Sequence, residues 1–434
     1  MRFSPRKLSW KLFQLLPEKI KSGIIRNSIS IDESQLEGIE IRVASNKNEI
    51  NQAFKLLYES YLENGLMDSK DHELRVTKYH CLPTSIIIVA VYNEEVIGTV
   101  THVLDSQLGL PSEGAVDISS FRKRGKRIAE ISALAIKKEF RRSHSLVFSL
   151  TRYMYHYATQ YAGVNYWIIG VRSNVASYYQ ALFFFHRFKT KKIAHGFVNN
   201  SPSYFLYVNL GELESLFFKH YAYKEDSKNL FKFYKQQDLK KIGNFEQFKF
   251  NLPFHYGFEK DSLELFFREK EKIIESLGEK EKLEVLNAYK EVFPNFFNRN
   301  ETDILKLKKA RNGVRYVSNY EIEILRVDIP EGQRYSLDFK DLIHGHILNF
   351  SRTGIMIKTS SKMAPDESYL VRFVRGMPIK DLIEVRILRD LKNNIYSGKL
   401  INNQRSWIQF IKNLELSIHS QNFDDENHVI KKAA

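Results

Sequence analysis

TSIIIVAVYNEEVIGTVTHVL (Thr84–Leu104) reads as two strands joined by a tight turn at Asn93–Glu95. Ile, Val and Thr fill both arms, and such β-branched side chains suit a pleated surface. A short polar interruption between two apolar runs is a hairpin signal. Upstream, Asn46 and Glu49 form a capping box. Ala53, Phe54, Leu57, Tyr58 and Tyr61 then recur at helical spacing as far as Gly65. Downstream, RIAEISALAI (Arg127–Ile136) predicts a third strand, and a helix follows over about Ser143–Ala162, stopped by Gly163. NYWIIGV predicts a buried strand, Asn174–His186 a helix and SYFLYVNL a closing strand. Strands interspersed with helices predict one α/β domain over residues 40–210.

The chain has 434 residues, enough for two or three domains. A hydrophobic share of 43%, with 31 Phe and 23 Tyr, argues for packed cores and against disorder. One cysteine, Cys81, excludes an internal disulfide framework and fits a reducing compartment; it is read as an inert, packed thiol. The net charge of +15 calls for an anionic partner or surface. Nucleic acid is disfavoured, because zinc-finger spacing, helix-turn-helix signals and RNA-binding aromatic motifs do not appear.

Residues 1–39 form a basic amphipathic segment. Residues 1–30 carry seven Lys/Arg against one acid, Glu18, with Leu8, Leu12, Leu15 and Leu16 at helical spacing. That composition suits an anionic membrane surface, or a helix packed on its own domain. No apolar run reaches the roughly 18 residues a membrane span needs. Residues 211–305, rich in Glu, Lys and Phe, predict a helical connector. From Leu307 the period becomes two: YEIEILRVDI turns Ile322 and Ile324 inward and Glu321 and Glu323 outward. GIMIK, YLVRFVRG, IEVRILRD and SWIQF continue the pattern, predicting a small β-barrel over 306–415, followed by a polar tail, 416–434.

At the mouth of that barrel stand KKARNGVRY (Lys308–Tyr316) and NFSRTG (Asn349–Gly354). The first holds Arg311 and Arg315, four residues apart; the second holds Asn349, Ser351 and Gly354. A guanidinium is planar, always charged and forked, so it stacks on a purine and bonds a phosphate or a guanine edge. In this order, on a strand-rich third, the two motifs resemble those of the PilZ domain, and SWIQFIKNLE is similar to its last strand. The resemblance implies binding of cyclic di-GMP by Arg311, Arg315, Asn349, Ser351 and Gly354. It departs from the family at Asn349, where Asp is frequent. His344 and His346 form an HGH without further ligands nearby, so no metal site is expected.

In the first domain DSQLGLP (Asp105–Pro111), FRKRGKR (Phe121–Arg127), AEISALAI (Ala129–Ile136) and NVASYYQALFFFHRF (Asn174–Phe188) stand in succession. Together they resemble the N-acyl amino acid synthases, a branch of the GNAT acyltransferase fold related to acyl-homoserine lactone synthases. The resemblance implies acyl transfer from an acyl carrier protein, or from acyl-CoA, to an amine. It makes Glu130 the amine-binding residue or base and Tyr179 the proton donor to the leaving thiolate. Backbone N–H groups near Ala135 and Ile136 would meet the oxyanion or the pantetheine. Glu130 as an ion-paired structural acid and Tyr179 as plain packing are the alternative roles.

Two departures bear on the donor and the acceptor. RRSHSL (Arg141–Leu146) has His144 and Leu146 where the fold's pyrophosphate loop has glycines, which favours a carrier protein over coenzyme A. Ala133 stands where a related signature has Arg. Carrier proteins are acidic, and the basic turn Arg122–Arg127, with Arg141 and Arg142, would steer one in. The expectation is therefore a cytoplasmic, peripherally membrane-associated N-acyltransferase that responds to cyclic di-GMP. The rival reading is a non-catalytic effector with a degenerate GNAT-like interaction module.

Overall fold

The computed structural model describes residues 16–44, 46–81, 85–106, 109–124, 126–141, 144–188, 193–235, 260–279, 281–282, 285, 316–326, 342–374, 382–391, 394–401 and 405–411. The chain divides into two compact units: residues 1–122 with 126–310, and residues 311–434 with 123–125.

The first unit is built on an eight-stranded sheet. Its elements begin with α1 (Glu18–Asn27), β1 (Glu40–Val43) and α2 (Lys47–Glu63). Then come β2 (Ser85–Tyr92), β3 (Glu95–Leu104), α3 (Ser119–Lys123), β4 (Ile128–Ile136) and α4 (Ser145–His156). They are followed by β5 (Tyr166–Arg172), α5 (Ala176–Phe183), β6 (His186–Arg187), β7 (Ile193–His195) and β8 (Ser201–Asn209). The strand order is β1-β2-β3-β4-β5-β8-β6, with β7 also on β8.

The capping box forms: the Asn46 side chain accepts from the Glu49 N–H at 2.9 Å and donates to the Glu49 carboxylate at 3.0 Å. The hairpin turn closes through Asn93 and Glu94, both with positive φ, in the manner that matches strand twist. α4 ends in a π-helical turn, Tyr157–Tyr161, and Gly163 at φ +58° ends the run as expected.

Strand alternation assigns the two faces. On β3, Gly98 meets Leu150 of α4 and the His102 ring faces Tyr157 at 5.4 Å. Val103 instead joins the core around Phe54 and Leu57 of α2. That core also takes in Leu263, Phe266, Phe267, Ile273, Ile274 and Leu277. These belong to the stretch expected to be a connector; its described helices include α6 (Leu210–Tyr221), α7 (Leu230–Lys235), α8 (Lys260–Glu264) and α9 (Ile273–Ser276). The Phe54 and Phe266 rings pack edge to face at 5.2 Å, and Lys70 pairs with Glu271 at 2.6 Å. Cys81 is buried, and burial pushes its thiol pKa well up, as an inert packed thiol requires. Among the described residues no helix is long and apolar enough to cross a membrane.

The second unit is a closed barrel of β9 (Tyr316–Arg326), β10 (Ile343–Phe350), β11 (Gly354–Thr359), β12 (Ser368–Phe373), β13 (Ile383–Asp390) and β14 (Ile395–Leu400). Ile322, Ile324, Ile347, Ile357, Val385 and Ile387 fill it. SWIQF, expected as the last strand, is helical over 405–411. Trp407, Phe410 and Ile411 recur at i, i+3, i+4, so one helical face buries all three, while IYSGKL is the strand that completes the barrel.

Candidate active site

Among the described residues β4 and β5 are the one parallel pair of the first sheet, and they pair only from Ile128↔Tyr166 to Ile131↔Ile169. Beyond that point β4 runs on beside β3 and β5 runs on beside β8, so the sheet splays open. A bulge accentuates the parting: the β3–β4 register shifts between Thr99 and Thr101, and Ala133 adopts φ +56°. Past Ile131, backbone groups of β4 that would have bonded β5 face the opening.

A cavity of ≈ 380 Å³ occupies this gap. It reaches Tyr61, Arg75, Tyr79 and His80 on the α2 side and Val147, Phe148 and Thr151 of α4 on the other, so it passes through the sheet. Ala135 and Ile136 line it, as does Tyr179 from α5.

Glu130 is the buried acid of this cavity, 2% exposed. Its carboxylate accepts from the Ser112 backbone N–H at 2.8 Å. Burial disfavours the charge more than that hydrogen bond favours it, and the pKa is pushed up to about 7. Val103↔Glu130 and Thr101↔Ser132 pairing turns these four side chains to one face. Above Thr101 stands His80, whose Nδ1 accepts from the Thr77 N–H at 3.0 Å, leaving Nε2 to donate to the Thr101 hydroxyl at 3.3 Å. Burial lowers His80 to about 4, so it stays neutral. Burial raises the half-buried Tyr179 hydroxyl, which keeps its proton at neutral pH.

The basic residues are partly committed. Arg141 lines the cavity, donates to the Ile136 carbonyl at 2.7 Å and pairs with Glu63 at 2.7 Å. Arg142 lies outside the described residues. Arg122 holds Asp105 at 2.6 Å and also Glu113, and those acids raise its pKa. Burial lowers Arg127 to about 10, so it stays charged at neutral pH, and Lys123 and Arg124 are exposed on the same turn. At the start of α4, His144 stacks on Phe148 at 6.0 Å, and the Ser145 hydroxyl accepts from the Asp32 N–H at 2.8 Å.

Arg75, Tyr61 and His80 were not foreseen as site residues. They come from α2 and the loop after it, with no motif of their own; the bare signal was an arginine and a histidine in a short polar stretch before the hairpin.

In the barrel, Arg311 and Arg315 lie outside the described residues. Asn349, half-buried at a bulge in β10, donates to the Met356 sulfur at 3.3 Å. Ser351 is buried: its N–H and hydroxyl both donate to the Gly354 carbonyl, at 2.8 and 3.3 Å, and its carbonyl accepts from Trp407 Nε1 at 3.1 Å. A Cβ on Gly354 would lie 2.8 Å from the Gly398 carbonyl, so β11 and β14 require glycine there. Ser351 and Gly354 therefore shape the turn.

The family model of N-acyl amino acid synthase FeeM matches residues 52–209. Among solved structures, FeeM from uncultured soil microbes is 22% identical, covering 41% of this chain and 93% of its own, with a TM-score of 0.36. The acyl-homoserine lactone synthase LasI is 14% identical over 40% of this chain and 90% of its own, TM-score 0.31. YncA, a putative acetyltransferase from Salmonella typhimurium with acetyl-CoA, is 16% identical over 40% and 94%, TM-score 0.30. Comparison with curated proteins finds no match. The segment that carries Glu130, the β4 bulge and Tyr179 is thus similar to the N-acyl amino acid synthases.

Proposed function

We propose that the first unit transfers a fatty acyl group from acyl carrier protein to the amine of an amino acid, and that the barrel binds cyclic di-GMP and adjusts that activity. The observation that carries the first part is Glu130: a buried carboxyl, titrating near 7, at the point where the sheet parts. A base with that pKa is half ionised at neutral pH and matched to accepting a proton from an ammonium or an attacking amine. The amine nitrogen attacks the thioester carbonyl, and its proton passes to Glu130, directly or through water. The developing oxyanion meets N–H groups on the open edge of β4, around Ala135 and Ile136. As the C–S bond breaks, Tyr179 gives its proton to the thiolate, the products are an amide and a free thiol, and exchange with solvent returns the proton on Glu130 to Tyr179. The alternative, a non-catalytic module, leaves a buried, proton-binding carboxyl at a cavity unexplained.

The start of α4 supports a carrier-protein donor over coenzyme A, because His144 and Leu146 stand where a pyrophosphate-binding loop would have glycines. The test is incubation of the purified chain with acyl carrier protein or acyl-CoA thioesters and a pool of amino acids, followed by mass spectrometry. N-acyl amino acids made faster from the carrier protein support the reading. Equal rates overturn the donor, and no product overturns the reaction.

A closed six-stranded barrel with Asn349 at the β10 bulge supports the second part. Arg311, Arg315 and Asn349 would hold the guanines and phosphates. Losing one arginine costs about 1–3 kcal/mol, roughly a 5- to 150-fold weaker Kd. Calorimetric titration of cyclic di-GMP into wild type and Arg315→Ala measures this; no heat with wild type at micromolar ligand sinks it. Peripheral membrane location rests on the basic N-terminal segment, within which Ile20 and Ile24 of α1 are exposed beside Lys19 and Lys21. Sedimentation with anionic but not neutral vesicles, lost on deleting residues 1–30, is the expected result; unchanged binding after the deletion refutes it.

A further inference from the structure

We infer that Arg122 is a positioning residue for the base: by clamping Asp105 and Glu113 it holds the loop between β3 and α3 so that Ser112 stays on the Glu130 carboxylate. The inference rests on the acyl-transfer reading above. Arg122 belongs to the basic turn expected to steer a carrier protein, yet its guanidinium is committed to acids of its own chain. Nε and Nη2 donate to the two Asp105 carboxylate oxygens at 2.8 and 2.6 Å, a forked pairing that lysine cannot make. The same head holds Glu113, with Nη2 2.8 Å from Oε2. Asp105 opens the loop and Glu113 stands in its middle, so one guanidinium ties the two together. Arg122 holds Glu113 below the usual carboxylate range, and the ionised Glu113 then accepts from the Leu110 N–H at 3.2 Å.

Around the clamped acids the loop closes on Ser112. The Glu113 N–H donates to the Leu110 carbonyl at 3.0 Å, and those of Ala115 and Val116 to the Ser112 carbonyl at 2.9 and 3.0 Å. Leu110, Val116 and Ile118 pack into the core around Phe54, and the Tyr79 hydroxyl donates to the Leu110 carbonyl at 3.3 Å. What this closure presents to Glu130 is Ser112, wholly buried, with its N–H on the carboxylate at 2.8 Å. The Ser112 hydroxyl faces the same carboxylate and has no other partner among the described residues. Both donors favour the ionised form, against the burial that disfavours it. The other titratable groups facing this space hold one state near neutral pH. Burial keeps the protons on Tyr79, where the Glu130 charge assists, and on Tyr179. Burial also keeps His80 and His144 neutral, while Arg75 and Arg141 add constant charge. Ser112, and through it Arg122, therefore decides how readily Glu130 ionises and where its oxygens point.

The experiment uses the full chain, an acyl-carrier-protein thioester and the amino acid that gives most product, and follows log(kcat/KM) against pH. In Arg122→Gln the acid limb should move up by about one pH unit, so the rate falls about tenfold below the wild-type midpoint and recovers at high pH. Arg122→Lys, which keeps the charge but not the fork, should shift less. Ser112→Ala, which keeps the backbone donor, should shift the limb the same way by roughly half a unit. The infrared C=O band of protonated Glu130, taken as the difference from Glu130→Gln, reports the same midpoint without turnover and should move in step. A limb and band at their wild-type positions in Arg122→Gln overturn the proposal. So does a higher KM for the carrier protein at every pH with no shift, which would make Arg122 a docking residue. Ser112→Ala leaves the clamp intact, so an unmoved band there overturns the proposal even where Arg122→Gln fails to fold. Absence of product from wild type overturns the acyl-transfer reading, while the infrared midpoint still decides whether Arg122 and Ser112 hold the carboxylate.

Discussion

The cavity of the first unit and the β10–β11 turn of the second are opposite kinds of site. The cavity gathers Arg75, Glu130, Phe148 and Tyr179 from four separated stretches of chain. The turn is six consecutive residues, of which Ser351 and Gly354 are spent on its own shape. Residues that converge from a distance are held around one space by the fold. Residues that form a compact motif have first to make the turn they stand in.

Three substitutions would break or sharpen that contrast. Glu130→Gln should have the largest effect, a fall in kcat/KM of about 10²- to 10⁴-fold, as for loss of a general base. In wild type log(kcat/KM) should rise with pH and level off above about 7, where Glu130 ionises; the variant should lose this limb. The same carboxyl links to stability. Its folded pKa is raised, so between about 4.5 and 7 the folded chain holds the proton that the unfolded chain has released. Stability from this group is therefore present at low pH and declines as pH rises through that window, by about 3 kcal/mol in all. A melting temperature whose pH dependence is the same in Glu130→Gln refutes the linkage.

Tyr179→Phe should lower kcat by about 10²-fold with KM little changed, because the ring still packs against Phe183 and Phe185 while the donor is gone. A wild-type kcat would assign Tyr179 to packing alone. Gly354→Ala should act on folding: its Cβ meets the Gly398 carbonyl, and relief of that overlap costs about 1–3 kcal/mol in barrel stability. Chemical denaturation of the full chain should show an earlier transition for the barrel, and an unchanged midpoint would mean that the strands part at no cost.

Most of the first unit's elements were legible because their signals are local: the Asn46–Glu49 cap, the Asn93–Glu94 turn and the Gly163 stop each lie within a few residues. The barrel strands were legible from period two wherever one face is buried. SWIQF misled because Ile408 and Phe410, with Gln409 between them, also satisfy alternation over a stretch too short to distinguish two periods; buried Trp407, Phe410 and Ile411 at i, i+3, i+4 decide for the helix. Residues 260–277 looked like a connector because nothing in Phe266 or Phe267 says that their partner is Phe54, some two hundred residues earlier. The site divides in the same way. Glu130 and Tyr179 stand in recognisable stretches, whereas Arg75 and His80 acquire meaning only when the loop after α2 is laid beside β3.

A sheet that parts in its middle has four edges instead of two. The inner pair, β4 past Ile131 and β5 past Ile169, presents backbone donors and acceptors of the sort that recruit stray strands from other chains. Here they are recessed behind side chains from two helices, Tyr61 of α2 and Tyr179 and Phe183 of α5, which line the gap. These helices therefore cover the inner strand edges as well as forming the walls of the cavity. Shortening α5 or trimming its aromatic rings would open a hydrophobic, unpaired strand edge to solvent, so solubility constrains these walls independently of any substrate.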